Sequence, residues 1–490
     1  MKADLIIMLI AKLYSSLLAF LVVPFLIMDL GVEAYGLVGV LAIMQSTFSL
    51  LDVGLGSALT RLYIENKTSE NLNAFIKVFS KFILYYLLVS LVILIISILF
   101  SDDIAKNFIN STLDVSQVSN CILIMFFIFI SRFLQSPFRA VVLGDNRQKS
   151  LAFIDIVSVS LGAPLCLFVF LHTEVSILLY FNIMLFSSLI RLLMMYTLYR
   201  KIIREKECHA HHNNNEIDFR STIIFGLKIS LLSIIWIVYG LVDKYVLVAT
   251  MELRDYSVYS LAITLMGAVA ILSVPLDQLF LPRLTQLYVS DERNSFISLT
   301  NYLVSNVSLI MLVIVIFFWE YGTKIVYFWL QDENLSYQVY RYSRWLLSGA
   351  SIMMVANYAY LICYAKAKLD MHIKVNLCYY TILIPTTILV ALNSGAESVA
   401  ILYFLASCIY FLAWPLIVFM KESKLILYKL LFSLLSTTII SILVIYFGGH
   451  IQNFLEIPAL VLLVMLISLS TSNCLGDYIF KRGKLNNVQL

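Results

Sequence analysis

The chain has 490 residues, of which 61% are hydrophobic and only 13% are charged, and its mean hydropathy is +0.92. Soluble domains carry about 25% charged residues, so this composition excludes the soluble classes and indicates an integral membrane protein. The formal net charge of +4 is too small to indicate a class of partner by itself, and no nucleic acid is expected to bind.

Apolar segments of membrane-spanning length recur along the whole chain. A transmembrane helix needs about 20 apolar residues to cross a hydrocarbon core of about 30 Å, and the sequence predicts about fourteen such helices. We therefore expect an all-α integral membrane protein. In chain order the predicted spans are Leu5–Met28, Tyr35–Thr60, Lys81–Phe100, Val118–Leu143, Leu151–Leu171, Val175–Tyr199, Thr222–Ala249, Tyr256–Tyr288, Tyr302–Phe318, Tyr342–Ala365, Ile373–Leu392, Val399–Met420, Leu425–Phe447 and Ile457–Leu475.

Basic residues are concentrated in the even-numbered connections between these spans. The second connection holds Arg61, Lys67, Lys77 and Lys81, whereas the first, MDLGVEA, holds none. By the positive-inside rule, the even-numbered connections and both chain termini are predicted to be cytoplasmic. An even number of spans agrees with this orientation.

A weak internal repeat appears at an offset of about 221 residues. The segment EAYGLVGVLAIM (Glu33–Met44) resembles RDYSVYSLAITL (Arg254–Leu265), although a coincidental match between two apolar segments is the alternative. Two copies with an even number of helices keep the same orientation, as in transporters whose halves are related by an axis along the membrane normal. We predict a six-helix N-terminal lobe (1–205), a cytoplasmic linker (206–220), a six-helix C-terminal lobe (221–420), and helices 13 and 14 with a cytoplasmic tail (421–490).

Charged residues inside the predicted spans identify the candidate site. A charge at a helix centre costs about 2.5–3.5 kcal/mol, so these residues are expected to line an interior cavity. In the fourth span Arg132, Gln135, Ser136 and Arg139 occupy positions i, i+3, i+4 and i+7, which places two guanidinium groups about 10 Å apart on one face. Arginine is permanently charged, and its planar fork suits the oxygens of a diphosphate.

Further cations lie at similar depth in other spans. The first and seventh spans, which correspond in the repeat, each bring a lysine into their cytoplasmic half. The predicted substrate-binding residues are therefore Lys12, Arg132, Gln135, Arg139, Arg191 and Lys228.

Four aspartates are candidates for coupling to a proton or sodium ion: Asp52, Asp155, Asp243 and Asp277. Alternatively, each of these charges forms an internal ion pair that only orients helices. On a continuous second helix Asp52 shares a stripe with Gln45, while Arg61 lies half a turn out of phase. The predicted partner of Asp52 is therefore Lys12.

Motifs of soluble enzymes are absent or weak. The chain has no GxxxxGK[ST] motif, so ATP binding by a P-loop is not expected. Three of the six histidines lie in CHAHH (Cys208–His212), which is interpreted as part of the linker rather than as a zinc site. We predict no catalytic residues, no metal and no cofactor.

The N-terminal segments LGVEAYGLVGV (Leu30–Val40) and SLLDVGLGSALTRL (Ser49–Leu62) resemble those of the polysaccharide transporters, the O-antigen flippases, of the multidrug/oligosaccharidyl-lipid/polysaccharide (MOP) exporter superfamily. The resemblance implies a bacterial inner-membrane protein that flips an undecaprenyl-diphosphate-linked oligosaccharide repeat unit from the cytoplasmic to the periplasmic leaflet. It also implies alternating access of two lobes around a cationic cavity. A polysaccharide polymerase and a chain-length regulator are candidate partners.

Two alternatives remain from the sequence. A multidrug exporter of the same superfamily would keep the fold but bind organic cations, for which an acidic cavity is expected. A membrane enzyme of polysaccharide assembly would usually carry catalytic residues in a large extracytoplasmic loop. The longest outward connections here, Ser101–Gln117 and Glu320–Arg341, contain no clear acid/base or nucleophile arrangement.

Overall fold

The computed structural model describes residues 2–48, 50, 52, 55–66, 72–207, 234, 237–366, 368–447, 461–462, 464–465 and 467. Every regular element among these residues is an α-helix. This follows from the apolar sequence, because a chain in hydrocarbon must satisfy its backbone hydrogen bonds within each segment. The chain divides into two compact units, Met1–Ser257 and Val258–Leu490.

In the first unit α5 is the central helix, and its most extensive packing is against α4 and α8. The short helices α6 and α7 pack against α1. The helices are α1 (Lys2–Leu30), α2 (Val32–Phe48), α3 (Leu55–Asn66), α4 (Leu72–Asn107), α5 (Val115–Gly144), α6 (Gln148–Ser160), α7 (Ala163–Phe170), α8 (Ile177–Glu207), α9 (237–250) and the first residues of α10 (Leu253–Val289).

The second unit contains the remainder of α10 and the helices that follow it. Its main packing joins α11 to α12 and α15, and α12 to α13. A buried cluster on α11, formed by Leu309, Val313, Phe317 and Tyr321, packs with Val464. The helices are α11 (Arg293–Leu330), α12 (Glu333–Ala365), α13 (Asp370–Ala413), α14 (Pro415–Glu422) and α15 (Lys424–Phe447).

Membrane-spanning segments dominate both units. Within the described residues, nine helical segments are long and apolar enough to cross a membrane. The prediction of an all-α membrane protein is therefore confirmed.

The long helix α13 is a hairpin whose two arms meet at Gly395. This residue has non-helical backbone angles, with φ at 72°. Residues on either side of it meet again: Tyr410 Oη donates to Asn376 Oδ1 at 3.2 Å, and Trp414 Nε1 lies 3.0 Å from His372 Nδ1. The chain therefore reverses at Gly395, at the NSGAE connection that separates two predicted spans.

The sequence predicts one continuous helix over the second span, Tyr35–Thr60, and this prediction is wrong. The helix α2 ends at Phe48, Asp52 lies in a turn, and α3 begins at Leu55 with a bond from its backbone N–H to the Asp52 carbonyl (3.1 Å). Aspartate and glycine have low helix propensity, so the segment DVGLG interrupts the helix despite its apolar surroundings.

The predicted boundary between lobes and the boundary between the compact units fall at different residues. The first unit ends at residue 257, whereas the predicted linker covers 206–220. Most of that linker, including CHAHH, lies outside the described residues. The two-lobe division with a C-terminal pair of helices therefore stays a prediction.

Candidate functional site

Asp52 is held by hydroxyl groups from two neighbouring helices. Tyr86 of α4 donates a short hydrogen bond to Asp52 Oδ1, and Ser136 Oγ of α5 donates to Asp52 Oδ2 at 2.7 Å. The Tyr86 side chain is fully buried. The interruption between α2 and α3 thus brings a carboxylate between α4 and α5.

The predicted ion pair between Lys12 and Asp52 is not formed. Lys12 has an exposed side chain and makes no hydrogen bond or ion pair with any other residue that the structure describes. The prediction assumed a straight second helix, and the break before Asp52 removes the helical phase on which it rested.

The polar face predicted on α5 exists, and its members have different surroundings. Arg132 and Arg139 are exposed, and the Arg132 guanidinium donates to the side-chain oxygen of Gln45 on α2. Gln135 is buried and donates to the Ser188 carbonyl on α8 at 3.0 Å, so its amide group holds α5 to α8. Two exposed arginines therefore flank Ser136, which contacts Asp52.

Arg191 and Asp155 form an ion pair between α8 and α6, with 2.6 Å between Arg191 Nη2 and Asp155 Oδ1. Both side chains are partly exposed. Arg191 also lies close enough to Arg132 for the two charges to repel each other. Arg191 consequently places a positive charge near the α5 face. It also neutralises Asp155, one of the aspartates predicted to couple to an ion.

The remaining predicted site residues are Lys228, Asp243 and Asp277. Asp243 has an ion pair with its neighbour Lys244, with 3.4 Å between Oδ1 and Nζ. Lys228 and the side chain of Asp277 lie outside the described residues.

A polar cluster at the ends of α3, α5 and α8 was not predicted. Tyr63 Oη donates to Asp145 Oδ1 at 3.1 Å, and Arg147 binds both Asp145 and Glu205. The sequence does not indicate this cluster, because a basic turn such as the one with Arg147 carries no information about which helices meet there.

Tyr86 is the site residue that sequence reasoning missed. Its signal in the sequence is a tyrosine within the long apolar helix α4. No group of His, Cys, Asp and Glu side chains suited to a metal occurs among the described residues. The arrangement instead offers two permanent positive charges, on Arg132 and Arg139, for an anion. Ser136, which lies between them on α5, donates to the carboxylate of Asp52.

Comparisons with known proteins were made for both sequence and fold. Residues 1–288 match the model of a family described as polysaccharide biosynthesis protein. No curated protein matches the chain in sequence.

Three solved structures illustrate the likeness of fold. The lipid II flippase MurJ in an inward closed conformation has a TM-score of 0.70 and 16% identity, over 97% of this chain and 100% of that one. A multidrug resistance MATE family transporter of the MOP superfamily, in an inward-facing conformation, has a TM-score of 0.60 and 12% identity, over 86% and 94%. A mutant of the Vibrio cholerae MATE transporter VcmN has a TM-score of 0.58 and 13% identity, over 87% and 98%. At these identities the likeness shows the fold, which is the MurJ/MATE-type transporter fold.

Proposed function

The chain belongs to the polysaccharide biosynthesis protein family, and on that premise we propose that it is a lipid-linked oligosaccharide flippase. It moves an undecaprenyl-diphosphate-linked repeat unit of O-antigen or capsule from the cytoplasmic to the periplasmic leaflet of a bacterial inner membrane. Both chain termini are cytoplasmic in this proposal, and the protein catalyses no covalent step. The fold of MurJ, a protein named as a lipid II flippase, supports a lipid-linked substrate.

The observation that carries the proposal is the pair of exposed arginines on α5. Arg132 donates to a neutral amide, and Arg139 forms no hydrogen bond or ion pair with any residue in the described part of the chain. Each guanidinium is permanently charged and can bind two phosphate oxygens at once. The two residues are about 10 Å apart along one helix face, and their long side chains can converge on the two phosphates of one diphosphate.

The charge balance favours an anionic substrate over an organic cation. The carboxylate of Asp155 is paired with Arg191, and that of Asp243 with Lys244. Asp52 accepts two hydroxyl hydrogen bonds, while Arg132 and Arg139 have no carboxylate within ion-pair distance among the described residues. A multidrug exporter, the second candidate, needs a cavity with the opposite balance.

In the proposed cycle the two arginines bind the diphosphate from the cytoplasmic side, and the lipid tail remains in the bilayer. Alternating access then exposes the bound head group to the periplasm. Polar side chains of the cavity offer hydrogen bonds to the sugars. Lys12, Arg191 and Lys228 are proposed as further sources of positive charge along this route, with a polysaccharide polymerase and a chain-length regulator as proposed partners.

Asp52 is the proposed site of coupling to a proton or sodium ion. Its contact with Ser136 lies on the same α5 face as the two arginines, four residues after Arg132 and three before Arg139. A change in the charge of Asp52 therefore acts on the helix that binds the diphosphate. The paired carboxylates of Asp155 and Asp243, together with Asp277, remain less direct candidates for the same role.

The proposal is tested by transport in proteoliposomes that contain the full chain and an undecaprenyl-diphosphate oligosaccharide. Accessibility of the sugar to an external lectin reports which leaflet holds the substrate. Each charge-assisted hydrogen bond contributes about 1.5–3 kcal/mol, so Arg132→Ala and Arg139→Ala should each slow initial transport at low substrate about ten- to hundredfold. The double variant should be inactive.

Arg204→Ala is the matched control, because Arg204 is an exposed arginine in the last turn of α8 and is not one of the predicted site residues. It should transport at the wild-type rate. Normal translocation by the folded double variant would contradict the assignment of the site. Export of an organic cation such as ethidium, without movement of the lipid-linked sugar, would instead support the second candidate.

A further inference from the structure

Gln45 is a polar residue of α2 that lies three residues before the end of this helix at Phe48. Its side chain is partly buried, and its carbonyl oxygen accepts a hydrogen bond from the Arg132 guanidinium of α5. A guanidinium has only donors, so the carbonyl oxygen is the part of the Gln45 amide that faces Arg132. This contact therefore fixes the orientation of the amide group.

The NH2 group of Gln45 is left free by this contact. It forms no hydrogen bond with any residue in the described part of the chain, and its nitrogen is accessible rather than enclosed by other side chains. An amide group on an apolar helix is unfavourable unless water or a ligand satisfies its N–H groups. Gln45 consequently presents two N–H donors beside the guanidinium of Arg132.

The contact orients Arg132 without cancelling its charge. Gln45 is neutral, whereas Asp155 forms an ion pair with Arg191 at 2.6 Å and so neutralises that arginine. Among the described residues, Gln45 occupies one guanidinium nitrogen of Arg132, Nη1, and the five N–H donors of a guanidinium are spread over three nitrogens. The positive charge and the other donors of Arg132 therefore remain available to an anion.

Two points on α5 are held by the same part of the chain. Gln45 contacts Arg132 from the end of α2, and Asp52, in the turn that follows α2, accepts from Ser136. Arg132 and Ser136 are four residues apart on α5, or about 6 Å along its axis. The end of α2 is thereby fixed to this face of α5, so the donors of Gln45 keep a defined position next to the guanidinium.

We propose that Gln45 is a substrate-binding residue of the transport site, and that its NH2 group donates to a phosphate oxygen of the anion that Arg132 binds. The carbonyl oxygen of the same amide holds the guanidinium in place. Ionised phosphate oxygens accept hydrogen bonds and donate none, so two adjacent groups that present N–H donors select a diphosphate over an organic cation. This role of Gln45 rests on the proposed function, because the diphosphate is the substrate proposed there.

The test is the affinity of the purified full chain in lipid nanodiscs for undecaprenyl diphosphate, measured by displacement of a fluorescent analogue. Gln45→Met has a side chain of similar length without the amide group, and it should bind about tenfold or more weakly. Gln45→Glu places a carboxylate against Arg132, which neutralises the guanidinium and repels phosphate, so its affinity should fall about ten- to hundredfold. Its melting temperature should not fall, because an ion pair replaces the hydrogen bond. Loss of affinity without loss of stability separates a contact with the ligand from a structural role.

Gln286→Glu is the matched control. Arg283 Nη1 donates to Gln286 Oε1 at 3.0 Å on α10, so this substitution creates the same kind of ion pair between two exposed residues outside the predicted site. It should bind undecaprenyl diphosphate as the wild type does. In a double-mutant cycle, Gln45→Met should cost less affinity in Arg132→Ala than in the wild type, because the two side chains bind the same phosphate as a unit.

Wild-type affinity in both folded Gln45 variants, together with a loss in Arg132→Ala, would overturn this role of Gln45 and leave the proposed function standing. An equal loss in Gln286→Glu, or additive losses in the double-mutant cycle, would overturn it as well, because the effect would not depend on the contact with Arg132. No binding by the wild type, or full binding by Arg132→Ala, would instead contradict the proposed function, and the role of Gln45 with it.

Discussion

Asp52 differs from Asp155 and Asp243 because its hydrogen bonds come from hydroxyl groups, whereas those two aspartates form ion pairs. Tyr86 and Ser136 orient the carboxylate without cancelling its charge, whereas Asp155 is neutralised by Arg191. An ionisable residue inside a membrane protein is by default a candidate for function, and an unneutralised one is the better candidate for exchanging an ion.

Replacement of Tyr86 by phenylalanine removes one of the two hydroxyl donors to Asp52 and preserves the ring. Hydrogen bonds to charged groups contribute about 1.5–3 kcal/mol, so we expect Tyr86→Phe to lower the free energy of unfolding by about that amount. Transport should also fall, because the carboxylate loses its fixed orientation. Thermal unfolding of the purified protein and the lectin assay measure the two effects.

Tyr428→Phe provides the control, since Tyr428 is a largely exposed tyrosine on α15. Its removal of a hydroxyl should leave both stability and transport unchanged. Wild-type stability and transport in Tyr86→Phe would show that the contact with Asp52 has no energetic role.

The sequence predicted the α5 face correctly in position but not in its contacts. Residues at i, i+3, i+4 and i+7 must share a face on any continuous helix, and α5 continues through Pro137. Which side chains contact each other across helices depends on tertiary packing, which this spacing does not determine. For that reason the helical pattern does not distinguish the buried Gln135 from its exposed neighbours, and it does not predict the contact between Tyr86 and Asp52.

At the scale of elements, α2 makes a close approach to the start of α10. A Cβ atom on Gly36 would lie 2.5 Å from Ser257 Oγ and 2.7 Å from Leu253 Cδ1. The Leu253 N–H also donates to the Asn110 carbonyl at 2.7 Å, so the start of α10 is fixed to the connection before α5. A larger residue at position 36 therefore requires the buried Ser257 and Leu253 side chains to shift.

We therefore expect Gly36→Ala to destabilise the protein by about 1–3 kcal/mol, as overpacking of a close contact does. Gly240→Ala on α9 is the matched change, because no neighbouring atom of the described residues, apart from the backbone of α9 itself, lies within 4 Å of a Cβ placed there. It should be neutral or stabilising by about 0.5–1 kcal/mol, since alanine is the better helix former. Equal melting temperatures for the two variants would show that α2 moves away from α10 at little cost.

The element boundaries show what hydropathy can and cannot predict. The reversal at Gly395 was expected, because NSGAE interrupts two apolar runs with polar and small residues. The break around Asp52 was not, because one aspartate and two glycines change the mean hydropathy of a long segment very little. Hydropathy therefore located the segments that lie in the membrane, while backbone propensity decided where a segment is divided.

At the scale of the whole molecule, the orientation in the membrane rests on the distribution of basic residues. Alkaline phosphatase fused after residue 112 should be active, because that connection is predicted to face the periplasm. The same enzyme fused after residue 146 should be inactive, because the following basic turn is predicted to be cytoplasmic. Phosphatase activity in intact cells, normalised to the amount of fusion protein, measures both.

Green fluorescent protein fused after residue 490 gives an independent readout, since it should fluoresce only if the C-terminus is cytoplasmic. High phosphatase activity at 146 combined with low activity at 112 would reverse the orientation. The family match and the fold do not depend on this outcome.

The hairpin of α13 has a consequence for where foreign residues can be inserted into this chain. Its two arms join through Gly395, whose φ of 72° is a conformation that residues with a side chain adopt rarely. Helix extends to both sides of this residue, so the join contains no loop of several residues that could hold an added peptide. An epitope tag is therefore better inserted in the longer connection between α4 and α5.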